Sequence, residues 1–259
     1  MKFTMLTMTR GDAHKIAEWV EYHSLLGFDD FQVILDGDID GTETVLKNID
    51  ISGSVTIHPK EEVGDYYDGL SPEERWERVK AWREANRRDL ESGVMRGVDP
   101  QSWRQHMHFS QVMDRYRRGD EGRGWLALFD VDEFLVTPGF DSLEDLVADF
   151  DTPRLRFLSF DVDTTGYDRS RPVLEQHFYR WSREAMLAVR GHWKNRVKSM
   201  VRYKKADLSS TLHKISSGAS CTPDYQLARI HHFRMPNQPS VSIPYTVQDK
   251  ISPKKPLRR

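Results

Sequence analysis

The stretch Trp125-Leu126-Ala127-Leu128-Phe129-Asp130-Val131-Asp132-Glu133-Phe134 sets an apolar run directly against three carboxylates. The run reads as a buried strand, and ligands of open α/β sheets bind just beyond the carboxyl ends of the strands. In an extended chain Asp130 and Asp132 point the same way. Two neighbouring hard oxygen donors suit Mg²⁺ or Mn²⁺, and such an ion in turn binds phosphate oxygens. Acids at this place also serve as turn residues or as a helix N-cap. Three of them at an apolar strand end favour a metal-dependent site for a phosphorylated ligand. Glu133, on the opposite face, is expected to make a structural ion pair.

Other residues could join such a site. Asp36-Gly37-Asp38-Ile39-Asp40-Gly41 matches the first half of an EF-hand loop, but Lys47 stands where the closing Glu belongs and a strand precedes it. Calcium binding is not expected there. A loop after the second strand of a nucleotide-binding half is where carboxylates meet a ribose or base, although an Asp/Gly turn explains the same residues. His231 and His232 are adjacent, so an extended chain turns only one of them toward a given site. Lone histidines such as His213 are more often structural than metal-bound. Nine basic residues against one acid, Glu184, fall between Arg180 and Lys205. Lys198 or Arg202 could neutralise a diphosphate, and their neighbours could approach an anionic lipid surface. Trp76, Trp82 and Trp103 fall at helical positions and read as packing residues.

These side chains need a scaffold, and the chain is long enough for one large α/β domain: 259 residues, 38% hydrophobic and 30% charged. A net charge of −2 gives no global reason to expect nucleic acid. Cys221 is the sole cysteine, which excludes an intrachain disulfide and a cysteine zinc cage. The first residues lack a signal-peptide pattern and no run approaches a membrane span, so a cytoplasmic location is expected.

The pattern opens with a strand at 3–8. A helix carrying Ile16, Trp19, Val20, His23 and Leu26 follows, with Gly27 as its stop. A strand at 31–35, a short helix from Thr42 and a strand at 54–58 complete a βαβαβ half of Rossmann type. Ser71-Pro72-Glu73-Glu74 starts a long polar helix reaching toward Leu90. Asp99-Pro100 opens another, with His106, Phe109, Met113 and Tyr116 on one face. A helix from Ser142 and a strand at 154–160 lead into Asp161-Val162-Asp163. The pattern then weakens. The expected division is one domain over 1–235 and a basic, loosely ordered tail over 236–259.

Several segments together resemble glycosyltransferases of the family 2 and family 92 group. Glu18-Trp19-Val20-Glu21-Tyr22-His23 with Leu25-Leu26-Gly27 is similar to that group's EWIEYHLLLG segment. Asp38-Ile39-Asp40-Gly41-Thr42 resembles its acidic DGT-type loop, and residues 125–134 its W-x-x-x-x-D-x-D-E-F strand end. Asn195-Arg196-Val197-Lys198-Ser199-Met200-Val201-Arg202 resembles KSIVRP, and His232-Phe233 the late HY. The segments occur in family order from residue 4 to about 234.

The resemblance implies an α/β fold of GT-A type, a Rossmann-like mixed sheet flanked by helices. It implies inverting transfer of a sugar from a nucleotide-sugar, such as a UDP-sugar, to a glycan or lipid-linked acceptor, with Mn²⁺ or Mg²⁺. Asp130 and Asp132 would bind the metal and the donor diphosphate, and His232 would be a further metal or diphosphate contact. Asp40, or Asp36, would touch the nucleoside, and Lys198 would support the phosphates. Asp163 and Asp161, ending the next expected strand, are the candidates for the base that takes the acceptor proton. The chain departs from the family pattern at Arg10-Gly11-Asp12, in place of Asn-Glu, and at Asp161-Val162-Asp163-Thr164-Thr165-Gly166, in place of FGSSG. The resemblance also suits a bacterial surface polysaccharide or lipid-linked precursor as product, and the basic stretch and tail would suit peripheral work at the inner membrane surface. Two rivals stand beside this reading. One is a phosphotransferase of haloacid-dehalogenase type with Asp130 as nucleophile, although Phe134 stands where that motif wants Thr or Val. The other is a protein of similar fold that binds a nucleotide or glycan without catalysis.

Overall fold

A computed structural model describes residues 1–119, 123–176, 179–190, 197–206, 218–234 and 244–251. The first half is the expected βαβαβ unit: β1 (Lys2–Thr9), α1 (Ile16–Leu26), β2 (Asp30–Asp36), α2 (Thr42–Lys47) and β3 (Ser54–Lys60). Gly27 ends α1 with φ 118°, donating its N–H to the carbonyls of His23 and Ser24. Helices α3 (Pro72–Ala85), α4 (Arg87–Glu91) and α5 (Pro100–Arg118) follow. Ser71 and Asp99 cap α3 and α5 through the reciprocal bonds of capping boxes. The polar helix expected to run to Leu90 instead breaks at Asn86, whose side chain bonds back to the Trp82 carbonyl. Only Val79 of α3 is buried, and Trp76, expected as a packing residue, is exposed.

The remaining elements are β4 (Gly124–Leu128), β5 (Glu133–Val136), α6 (Leu143–Ala148), β6 (Arg154–Asp161), β7 (Tyr179–Arg180), α7 (Arg183–Arg190), β8 (Val197–Arg202), β9 (Arg229–His232) and β10 (Val247–Gln248). Eight strands form one mixed sheet in the order β3-β2-β1-β4-β8-β6-β9-β5. The pairs from β3 through β4 are parallel, β8 runs antiparallel to both its neighbours, and β6 pairs β9 in parallel. This is the helix-flanked mixed sheet that the resemblance implies. No described helix is long and apolar enough to cross a membrane. Of the expected tail, residues 244–251 are described: β10 pairs β7 and Ile251 is buried.

Alternation along β4 divides the core. Trp125, Ala127 and Phe129 pack with α1 and α6 on one face of the sheet, while Leu126 and Leu128 meet Phe109, Met113 and Tyr116 of α5 on the other. Helix α1 does more than fill space. Trp19 Nε1 donates to the Glu133 carbonyl at 2.8 Å and Tyr22 OH to the Leu135 carbonyl at 2.8 Å. His23 Nδ1 lies 2.8 Å from the Trp19 carbonyl, and its Nε2 accepts the Leu135 N–H at 3.2 Å. These two contacts require the neutral Nδ1–H tautomer. One face of α1 therefore clamps β5, the strand that leaves the acidic turn.

Burial pushes the His23 pKa down to about 3. The unfolded chain takes up that proton near pH 6.5 and the folded chain does not, so stability falls as pH drops from 6.5 toward 3. His23→Phe is expected to cost about 1–3 kcal/mol at pH 7.5, because the Leu135 N–H loses its acceptor. The gap between variant and wild type should narrow at pH 5. Urea denaturation at both pH values checks this; a gap independent of pH would remove His23 as a source of acid sensitivity.

Candidate active site

Parallel strands β1, β2 and β4 deliver their carboxyl ends to one cleft of about 360 Å³. Thr9 comes from β1, Asp12 and Lys15 from the following turn, Asp36 from β2, and Asp130 and Asp132 from the end of β4. His232 enters from β9, and α5 contributes Gln101, Arg104 and Gln105. The position is the strand-end crevice at which α/β sheets bind ligands.

Asp130 and Asp132 do share the cleft, but not by strand alternation as expected. Strand β4 ends at Leu128, and Glu133 N–H bonds to the Asp130 carbonyl at 2.9 Å, closing a turn over 130–133. The Glu133 carboxylate in turn accepts the Asp130 N–H at 3.0 Å. Lys198 of β8 sits between the two acids, 2.6 Å from Asp130 Oδ2 and 2.9 Å from Glu133 Oε2. Burial works against the Lys198 ammonium, but Asp130 and Glu133 outweigh it and raise its pKa above the ordinary lysine value. Burial also works against charge on Asp130, and Lys198 holds that carboxyl below its ordinary pKa. Asp130 keeps 43% of its side chain exposed while Glu133 keeps 1%, so Asp130 is presented and Glu133 is structural.

Asp132 is paired by His232, whose Nε2 lies 3.3 Å from Oδ2. Burial opposes ionisation of Asp132, but His232 and then Lys15 bring its pKa well below the usual carboxylate range. In return Asp132 overcomes the burial of His232 and raises the imidazole pKa. The register that aligns Glu133, His232 and Asp161 on β5, β9 and β6 also brings Asp161 Oδ1 to 3.5 Å from His232 Nδ1. Asp163 is not brought in. Its carboxylate accepts the Thr165 N–H at 3.0 Å, and neither it nor Asp161, which is buried and pairs with Arg234 at 3.4 Å, lines the cleft.

The nucleoside candidates also separate. Asp36 lines the cleft but is already engaged, accepting from Arg104 Nε and Nη2 at 3.2 and 3.1 Å and from Tyr66 OH at 3.2 Å. Asp40 is exposed and outside the cleft lining, where it accepts from the Ala13 N–H at 2.9 Å and the Thr42 hydroxyl at 2.6 Å. It ties the loop after β1 to the loop after β2. His231 points away from the cleft toward Asp249, and His213 lies outside the described residues.

Sequence reasoning missed one whole wall. Gln101, Arg104 and Gln105 recur at helical spacing on α5, a polar stripe beside its apolar face, and that spacing was the available signal. The segment after β3 supplies Tyr66, Tyr67 and Asp68. Tyr66 lies between two guanidinium groups, Arg10 at 3.6 Å and Arg104 at 4.7 Å from its ring centre. Arg10 also pairs with Glu62 and Asp68, each at 2.9 Å, and Arg104 pairs with Asp65. The basic stretch is not one solvated face: Lys198 and Arg180 are buried in ion pairs, whereas Lys204 and Lys205 are exposed.

The helix-flanked mixed sheet with its strand-end cleft is of GT-A type. The chain belongs to glycosyltransferase family 92, whose model matches residues 6–256. That membership sets aside the haloacid-dehalogenase alternative. No curated protein matches the chain. Among solved structures, S. aureus TarS 1-349 is similar at 9% identity and TM-score 0.47, over 90% of this chain and 60% of that one. TarS 1-349 in complex with UDP-GlcNAc aligns at 13% identity and TM-score 0.37, over 65% and 37%. Galactosyltransferase LgtC, in complex with donor and acceptor sugar analogues, aligns at 11% identity and TM-score 0.39, over 90% and 87%. This chain spans less than two thirds of the TarS chains. At TM-scores this low, the likenesses define neither substrate nor mechanism.

Lys198→Met is expected to cost roughly 3–5 kcal/mol, since it strands the buried Glu133 carboxylate. A Lys198→Met/Glu133→Gln double variant should recover part of that loss. Chemical denaturation of the wild type, both single variants and the double variant gives the coupling. Additive losses would mean that the pair does not act as a unit.

Proposed function

We propose that this protein transfers a sugar, with inversion, from a nucleotide-sugar donor of the UDP-sugar kind to a hydroxyl of a glycan or lipid-linked acceptor. The convergence of Asp130 and Asp132, backed by Lys198 and His232, in a strand-end cleft carries the proposal. In such a transfer the acceptor oxygen bonds to the anomeric carbon as the bond to the diphosphate breaks. The leaving group gains negative charge, which the site must stabilise.

Among the described residues, no group of three or more His, Cys, Asp or Glu side chains is arranged to hold a metal ion. The donor set nevertheless fits Mg²⁺ or Mn²⁺ of the kind that is bound by one or two carboxylates together with substrate phosphates, rather than by an all-protein cage. Asp130 and Asp132 would hold it, with His232 adjoining, and it would supply positive charge to the departing diphosphate. Lys198 keeps Asp130 ionised and oriented. Lys15, paired with Asp12 at 2.8 Å, adds a second cation on the cleft wall. Neither candidate base lines the cleft: Asp161 is buried between His232 and Arg234, at 3.5 and 3.4 Å, and Asp163 is held by its own loop; of the two, Asp161 is the nearer to the acidic turn, through His232. Cytoplasmic work at an anionic membrane surface is part of the proposal and draws on the exposed Lys204 and Lys205.

Thermal-shift titration with UDP-sugars is expected to raise Tm in the presence of Mn²⁺ and less in its absence, because a ligand of the native state alone stabilises it. Asp132→Ala should abolish metal-dependent donor turnover. Full turnover in that variant would overturn the proposal, and donor binding without hydrolysis or transfer across a broad acceptor panel would favour the non-catalytic alternative.

A further inference from the structure

His232 is delivered by a strand of only four residues, β9, and its alternation splits the pair of histidines. Ile230 and His232 share one face, and Arg229 and His231 share the other. The second face is gripped from a distant part of the chain. Asp249, just after β10, takes a two-pronged contact from Arg229, Nη2 at 2.8 Å and Nε at 2.9 Å. Its Oδ2 also accepts from Arg180 Nε of β7 and lies 3.2 Å from His231 Nε2. Arg180 and Arg229 each keep only 8% of their side chains exposed, and His231 keeps 1%. Two guanidinium groups packed so closely out of water require a shared anion, and Asp249 supplies it. The same segment is seated by Ile251 in the core and by Tyr245 stacked on Trp181, ring centres 5.8 Å apart.

We propose that Asp249 is a positioning residue: by holding Arg229 and His231 it fixes the height of β9, and so sets His232 against Asp132 on the opposite face of the strand. Asp249 lies in a Pro-, Ser- and Lys/Arg-rich stretch far from every motif. Backbone bonds carry the effect onward. Asp132 accepts the Phe233 N–H at 2.8 Å and His232 accepts the Val162 N–H at 2.9 Å, so any shift of β9 reaches both walls around His232. A displacement of about 1 Å at such a contact is enough to slow a positioned reaction by about a hundredfold.

The consequence for catalysis rests on the proposed transfer, whereas the positioning itself does not, and the experiment separates the two. Asp249→Asn keeps the shape and one acceptor while removing the charge. Asp249→Glu keeps the charge and is the conservative rescue, and it serves if the Asn variant does not fold. Each is made in the full chain, and the His232 imidazole resonances are assigned with a His232→Gln reference. The expected result for folded Asp249→Asn is a displaced His232 imidazole signal. Donor turnover should fall by roughly ten- to a hundredfold in kcat, with a smaller change in KM and partial recovery in Asp249→Glu. Unchanged His232 resonances in a folded Asn variant would overturn the positioning role. Displaced resonances with wild-type kcat would uphold it and remove His232 from the reaction. If the wild type shows no turnover, the proposed transfer fails and the resonances alone decide the role of Asp249.

Discussion

A single ammonium group lets the acidic turn exist. Asp130 and Glu133 converge because the turn over 130–133 folds them together, and in a partly dry cleft two such carboxylates repel. Lys198, brought by the antiparallel strand β8, lies within 3 Å of both. With Glu133 buried and committed, Asp130 keeps its charge and its exposed edge. Asp132 obtains the same result separately, through His232 from β9. The site is thus built by strands from late in the chain, which set cations against an acidic turn that precedes them in sequence.

The turn also has to be held still, and here α1 is decisive. Trp19, Tyr22 and His23 all bond to backbone of β5, at Glu133 and Leu135. No residue of α1 lines the cleft. The helix's aromatic and imidazole groups brace the strand on which the acids depend. The polar ends of three large side chains are satisfied in the core by the carbonyls and one N–H at that place.

Much of this was legible in the residues. The βαβαβ half, the caps at Ser71 and Asp99, the apolar face of α5 and the apolar strand leading up to the acidic turn follow from periodicity and capping chemistry. Glu133 makes the structural ion pair expected of it, but the turn brings it beside Asp130 rather than onto the opposite face, and His231 and His232 divide as an extended chain requires. Other features were not legible, for identifiable reasons. Alternation suggested that Asp130 and Asp132 align along a strand, but a turn aligns them, and residue spacing alone does not separate the two. Asp40 lies in the loop that resembles the family's acidic one, but it is spent on the Thr42 hydroxyl and on tethering Ala13. Tyr66 lines the cleft through contacts made far from its own neighbours in the chain, and such encounters leave no local pattern; Arg104 left only the polar stripe of α5.

The two sides of the cleft are fastened by different means. Around Asp130 and Asp132 the contacts are short and shielded by the sheet. Around Tyr66 they run through Glu62 and Asp68, whose side chains are 60% and 62% exposed. Exposed ion pairs contribute little and weaken as electrolyte screens them, whereas shielded ones persist. Ionic strength therefore acts on this molecule unevenly, loosening the rim at the Tyr66 end while the carboxylate floor keeps its shape.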